Sequence, residues 1–151
     1  MLSTPLSGYS GVVQRVVDFL NTLDERTFSR HGEHHVPSDA LEPGDAVTLR
    51  TALRQALSGG EPDLTAFPLR LTGNLRLTAD TGTPWLDPVV ESVAVSVATG
   101  DWKRLKLCAA PDCRWAFYDT SRNGRGRWCD MEVCGNRHKT RTYRERRQRA
   151  G

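Results

Sequence analysis

The chain has 151 residues, a formal net charge of +3 and four cysteines. That length allows one ordinary core, or a modest core with a small stapled module. No apolar run reaches the ~18 to 20 residues that would span a bilayer, and no basic start leads into an apolar segment. A cytoplasmic protein with reduced thiols is therefore expected, and a membrane role is not. The charge is divided: residues 1–100 hold seven Arg and no Lys against twelve acids, a balance of −5, whereas residues 101–151 balance at +8. The C-terminal third faces polyanions.

Taken in order, Ser10 is placed to cap a helix reaching about Leu23, with Val12, Val16, Phe19, Leu20 and Leu23 at helical spacing. Residues 26–45 read as a polar loop. His31, His34 and His35 fall in it, but no cysteine or carboxylate pair completes a metal site there. A second helix is predicted over about Gly44 to Leu57, with Val47, Leu49, Leu53 and Leu57 inward and Gly59-Gly60 ending it. Arg50 and Arg54, one turn apart, are either a ligand-facing pair or a solvated face, and the second is the commoner outcome.

Between Thr65 and Thr78 the period changes to two, and Leu69, Leu71, Leu75 and Leu77 flank a turn at Gly73-Asn74. Pro84 is expected to open a third helix stacking Val89, Val93 and Val97, which Gly100 closes. Residues 1–101 thus read as a small α+β domain for sensing or dimerisation, with a small-molecule effector and a homodimer as its natural partners. No nucleophile beside a base, phosphate loop or acidic pair appears, so no enzyme is expected.

All the cysteines lie between 108 and 134, as two pairs each enclosing four residues: Cys108 with Cys113 and Cys129 with Cys134. This spacing favours one structural Zn²⁺ over disulfides, catalytic zinc or an iron–sulfur cluster, since four equivalent thiolates close a tetrahedral shell. Lys103 to Leu107 and Trp115 to Tyr118 predict a hairpin that brings the pairs together, with Trp115, Phe117 and Trp128 as its small core. A module with so few aliphatic residues depends on metal for much of its folding energy, and loss of a ligand is expected to unfold it while the first hundred residues stay folded. Four thiolates on Zn²⁺ carry −2, which Lys106, Arg114 and Arg127 are placed to offset.

After Cys134 comes a polar helix with Tyr143 as its only large apolar residue. Arg137, Lys139, Arg141, Arg144, Arg146 and Arg147 are its candidate phosphate contacts, Arg125 and Arg127 at the hairpin tip are candidates for a minor groove, and His138 reads as a surface residue. A protein-interaction adaptor with an acidic partner, or an RNA module stacking bases on Trp115 or Tyr118, are the alternatives to duplex DNA.

The run Trp-x-Phe-x-Asp-x-Ser-Arg-Asn at 115–123, Arg-Trp-Cys-x-Met at 127–131 and Cys-Gly-Asn-Arg-x-Lys at 134–139 resembles the CGNR zinc finger of bacterial proteins. Asp18 to Thr22 and the Leu49 to Leu57 helix are similar to the domain that precedes it, described as a stress-induced transcription regulator. The resemblance implies a zinc-binding, DNA-binding regulator associated with the nucleoid, with Cys108, Cys113, Cys129 and Cys134 as metal ligands. The expected architecture is α+β, residues 1–101 followed by a treble-clef-like finger over 102–151. The tip Gly124-Arg125-Gly126 is richer in glycine than the family pattern.

Overall fold

The computed structural model describes residues 10–30 and 33–151. Helix α1 spans Gly11–Leu20 and buries Val13, Val16, Val17, Phe19 and Leu20 on one stripe. It ends three residues earlier than the spacing predicts, because Leu23–Asp24 extends as strand β1 and pairs antiparallel with β4, Ser38–Asp39. Between them, β2 (Ser29–Arg30) pairs with β3 (Glu33–His34). The segment expected to be a loop is therefore a nested hairpin. Its anchor is Asp24, which accepts from Arg26 at 2.6 Å and hydrogen-bonds His35 Nε2 at 2.6 Å. His34 and His35 hold no metal cluster among the described residues, and His31 lies outside them.

Helix α2 spans Asp45–Leu57. Arg50 and Arg54 on it are 2% and 7% exposed, so neither expectation for them describes their place. Buried guanidinium groups need acceptors for their donors, and the terminal nitrogens of these arginines find most of theirs along the chain that leaves α1, while Arg50 Nε has none among the described residues. Arg50 pairs with Asp39 and donates to Thr22 Oγ1, while Arg54 donates to Glu25, to the Leu20 carbonyl and to the Arg114 carbonyl. They staple α2 to the nested hairpin and leave no ligand-facing pair.

The predicted hairpin forms as β5 (Leu69–Leu71) and β6 (Leu77–Ala79). Helix α3 spans Asp87–Thr99, with Pro88 and not Pro84 in its first turn. The Asp87 carboxylate accepts from the Thr81 N–H and hydroxyl, which holds Pro84 in the preceding turn. Val89 is buried but Val97 is 59% exposed. A spacing of four advances each step about 40° around a helix of 3.6 residues per turn, so the stripe rotates off the core. The core side is taken by Val90, Ser92 and Ser96, whose small side chains let α1 approach. Both hydroxyls bond carbonyls of their own helix, Ser92 to Pro88 and Ser96 to Ser92, so their burial leaves no orphaned donor.

Gly100, with φ of +84°, ends α3 and turns into a 3-10 segment over Asp101–Arg104. Strand β7 (Leu105–Leu107) then pairs with β8 (Ala116–Tyr118). The last helix, α4, spans Asn136–Ala150 and follows a π-turn at Met131–Gly135. The fold class is α+β, as expected, with four separate two-stranded antiparallel sheets among the described residues.

The expected boundary at 101/102 coincides with the turn at Gly100, but the apolar core runs through it. Leu105 and Ala116 are buried in the same cluster as Val16, Leu20, Leu53 and Val89, with Trp102, Leu107 and Tyr118 packed on it. Asn21, the residue that ends α1, bonds the free side of β8: its Nδ2 donates to the Ala116 carbonyl at 2.9 Å and its Oδ1 accepts from the Ala116 N–H at 2.8 Å. It supplies what a third strand would. Asn21→Ala leaves both backbone groups of a buried residue unsatisfied and is expected to cost about 3 kcal/mol; urea unfolding of the two proteins measures it, and a loss below about 1 kcal/mol would refute the role.

Candidate metal centre and basic helix

Two tight turns position the cysteines. In the first, the Cys108 N–H bonds the Trp115 carbonyl at 2.8 Å as β7 ends, and the N–H groups of Cys113 and Arg114 return to the Ala110 carbonyl. Arg114 adopts φ of +55°, unusual without glycine. Arg54 donating to its carbonyl and Ser58 Oγ accepting from its guanidinium hold it there. In the second turn, the Asp130 carboxylate caps the helix by accepting from the N–H groups of Glu132 and Val133. The Asp130 carbonyl accepts from both Cys134 and Gly135, which opens the first turn into a π-turn carrying Cys134.

These turns bring all four Sγ atoms within 4.8 Å of one another. Cys113 and Cys129 are 3.6 Å apart, Cys129 and Cys134 3.8 Å. A tetrahedral Zn²⁺ with Zn–S of about 2.3 Å requires sulfur separations of about 3.8 Å, so the set fits one zinc ion with no open position. Without a cation the thiols oppose one another. Donation from Cys113 and Cys129 lowers Cys108 to about 2, Cys113 is pushed up to about 12 chiefly by its hydrogen bond to Cys108, and Cys129 is pushed up by Cys108 and Cys113. A dication among the four sulfurs supplies the field that removes the protons its ligands must lose.

The cations expected to offset the cluster are used elsewhere. Lys106 bonds Asp119, Arg114 bonds Ser58, and Arg127 lies over the Trp128 ring at 5.1 Å. Their place is taken by Arg137 and Arg26. Arg137 pairs with Asp112 through both terminal nitrogens, approaches Cys134 Sγ at 3.5 Å and lies over the Phe28 ring at 3.7 Å. Burial lowers its pKa, but the bonds to Asp112 and Cys134 outweigh that and raise it further above the ordinary range. Arg26 lies 4.1 Å over the Trp115 ring, and its pKa is raised first by Asp24 and further by the field of Cys113 and Cys129. Phe28, Trp115 and Trp128 pack on the cysteine cluster, whereas Phe117 joins neither core.

Two glycines of the finger stand at close approaches, tight at Gly135 and prohibitive at Gly126. A Cβ on Gly135 would lie 3.1 Å from Met131 Sδ and 3.3 Å from Trp128 Cδ1. One on Gly126 would lie 2.6 Å from Asp119 Oδ1. Asp119 is buried and accepts from Lys106 Nζ at 2.6 Å and from the N–H groups of Ser121 and Gly126, while Lys106 also donates to the carbonyls of Gly124 and Gly126. Burial alone would raise the Asp119 pKa; Lys106 and the backbone donors hold it well below the usual carboxylate range. The glycine-rich tip therefore wraps a buried ion pair. Arg125 is exposed on that tip.

Of the candidate phosphate contacts, Arg137 is committed to the metal centre. Lys139, Arg141, Arg144, Arg146 and Arg147 are exposed along α4, as is Arg149, and none is in an ion pair among the described residues. Arg147 stands 5.9 Å over Tyr143. His138 stacks on Trp128 with ring centroids 4.7 Å apart. Sequence reasoning missed Asn21, Arg26 and Phe28, which meet the finger only through tertiary packing, and Asp112, which lies inside the first cysteine turn and gains its role from Arg137. The Asp18-Phe19-Leu20-Asn21-Thr22 segment was the single signal that could have pointed to Asn21.

A four-thiolate centre closed by two turns, one opening a helix, defines a structural zinc finger joined to an α+β core. Residues 104–147 match the family model of the CGNR zinc finger. No curated protein matches the chain. Among the described residues no helix is long and apolar enough to cross a membrane.

The metal centre and the helical core share contacts: Thr27 N–H donates to the Asp112 carbonyl at 3.1 Å, and Phe28 and Arg26 cover the cluster. Zinc removal by a chelator is therefore expected to lower the melting temperature of the whole chain in one transition, and Cys129→Ser to do the same. Calorimetry with and without chelator tests this; an upper transition that stays in place after zinc loss would show that the core before residue 104 stands alone.

Proposed function

We propose that this protein binds duplex DNA through α4 and acts as a transcription regulator. The observation that carries the reading is the helix itself. It has 15 residues, none of them buried, with its cations facing solvent and its N-terminus set by Asp130, Cys134 and Arg137. At 1.5 Å per residue it is about 22 Å long, and its width suits a major groove. A helix polar all round has no core-facing stripe, so its place depends on the attachment at one end. The metal centre supplies the attachment, and the arginines supply the phosphate contacts that position a protein on DNA. Exposed Arg125 on the fixed tip is a second contact. In this reading the core before residue 104 governs the finger through Arg26 over Trp115, Phe28 packed on the cysteine cluster and Thr27 bonded to the Asp112 carbonyl.

Fluorescence anisotropy of zinc-loaded protein with duplex fragments across a salt series is the test. Three to five phosphate contacts give a slope of log K against log salt of about −3 to −5. Replacing Arg144, Arg146 and Arg147 by Gln touches no buried group and is expected to reduce that slope by about 2 to 3. An unchanged slope would remove α4 as the contact. Tighter binding to single-stranded RNA than to duplex DNA would favour the RNA reading.

A further inference from the structure

A cleft of about 280 Å³ lies between the first cysteine turn and α4. One wall is Ala109 to Asp112, another Arg127 and Trp128, and the third the face of α4 that carries His138 and Arg141. We infer that this cleft is an anion subsite that seats one phosphate group of a nucleic-acid backbone, held between Arg127 and Arg141. The inference rests on the proposed reading of the finger as a nucleic-acid module, and it locates a contact off the outer surface of α4.

Both arginines are presented by rigid backbone. The Arg127 carbonyl accepts from the Ala109 N–H at 2.9 Å, and the preceding Gly126 is locked by Asp119 and Lys106. The Arg127 guanidinium lies over Trp128, which stacks on His138 and sits against Gly135 at the start of the helix. Arg141 is one turn beyond Arg137, which is pinned to Asp112 and Cys134. The backbone positions from which the two side chains project thus share one frame.

The charge of the cleft favours a phosphate. Asp112 and the metal ligand Cys134 both line it, and Arg137 stands against both, taking the two Asp112 carboxylate oxygens and approaching Cys134 Sγ at 3.5 Å. Glu145 is the one acid of the lining outside an ion pair among the described residues, set against Arg127 and Arg141, which are also outside any. The planar fork of a guanidinium matches phosphate oxygens, and two forks on opposite walls accommodate a tetrahedral anion better than a flat carboxylate.

The test uses the full zinc-loaded chain in two arms. In a double-mutant cycle on a duplex fragment, Arg127→Ala and Arg141→Ala are each expected to weaken binding several-fold, and the double variant to fall short of the product of the two losses by about threefold or more, since either loss weakens the other contact. The cycle pairing Arg127→Ala with Arg149→Ala should be multiplicative. In the second arm, inorganic phosphate should give saturable NMR shifts at the Trp128 indole and His138 ring that acetate does not match and that Arg127→Ala abolishes. Multiplicative losses for Arg127 and Arg141 on a duplex that binds, or equal shifts with acetate, would overturn the inference. Saturation by phosphate with no duplex affinity would keep the subsite, assign it to a free phosphorylated ligand and overturn the DNA reading instead. No phosphate shift and no duplex affinity would overturn both.

Discussion

Four thiol groups within 4.8 Å of one another cannot all carry charge without a cation among them. The electrostatic penalty is steep at that separation in a partly buried site, and most of the C-terminal architecture is arranged around meeting it. A dication removes the larger part, leaving the −2 of a tetrathiolate centre. Arg137 and Arg26 stand where that residue of charge is felt, each with a carboxylate on its other side and an aromatic ring beneath it. An arginine held this way is a structural group, oriented by the plane of its own guanidinium. The same arrangement fixes α4, because Arg137 is in its first turn and Cys134 in the π-turn that leads into it.

The two arginines also decide how far the metal centre reaches into the rest of the chain. Arg26 and Phe28 come from the nested hairpin after α1, so the hairpin is part of the centre's surroundings. From the other direction, Arg54 on α2 donates to the carbonyl of Arg114, one residue past Cys113. Asn21 closes the edge of β8. A small finger usually gains its folding energy from metal alone, but here its hairpin is also half of an apolar core, with Leu105 and Ala116 buried among helical residues. Metal and core stabilise a shared structure, so each contributes to the order of the other.

What could be read from the residues follows from which interactions are local. The cysteine pairs, the helices α1 and α2, the β5–β6 hairpin and the polar helix α4 depend on spacing along the chain, and spacing is written in the sequence. Arg50 and Arg54 show where this ends: their i, i+4 spacing resembles that of a solvated face, and only the return of Thr22, Glu25 and Asp39 across α2 makes them buried. Val97 is exposed for a different reason: its i, i+4 stripe rotates about 40° per step away from the core, which α3 still meets one residue earlier at fully buried Ser96. At the metal centre the ligands were legible and their counter-ions were not. Lys106 is two residues from Cys108, yet buried Asp119 at the end of the paired strand β8 and the Gly124 and Gly126 carbonyls offer it three acceptors.

The glycines of the finger connect these levels. Gly126 is needed because buried Asp119 lies where its Cβ would be, and Gly135 lets Trp128 and Met131 pack closely at the helix start. Each close approach transfers order outward: Asp119 fixes the tip that displays Arg125, and Trp128 fixes the Arg127 guanidinium and the ring of His138. A surface built from long cationic side chains normally loses much of its potential affinity to side-chain entropy. Seating those side chains on glycine-enabled contacts reduces that loss at the points nearest the metal centre and leaves the far end of α4 free. The finger is therefore graded, from groups held by several partners beside the cysteines to exposed cations toward the end of α4 that are outside any ion pair among the described residues.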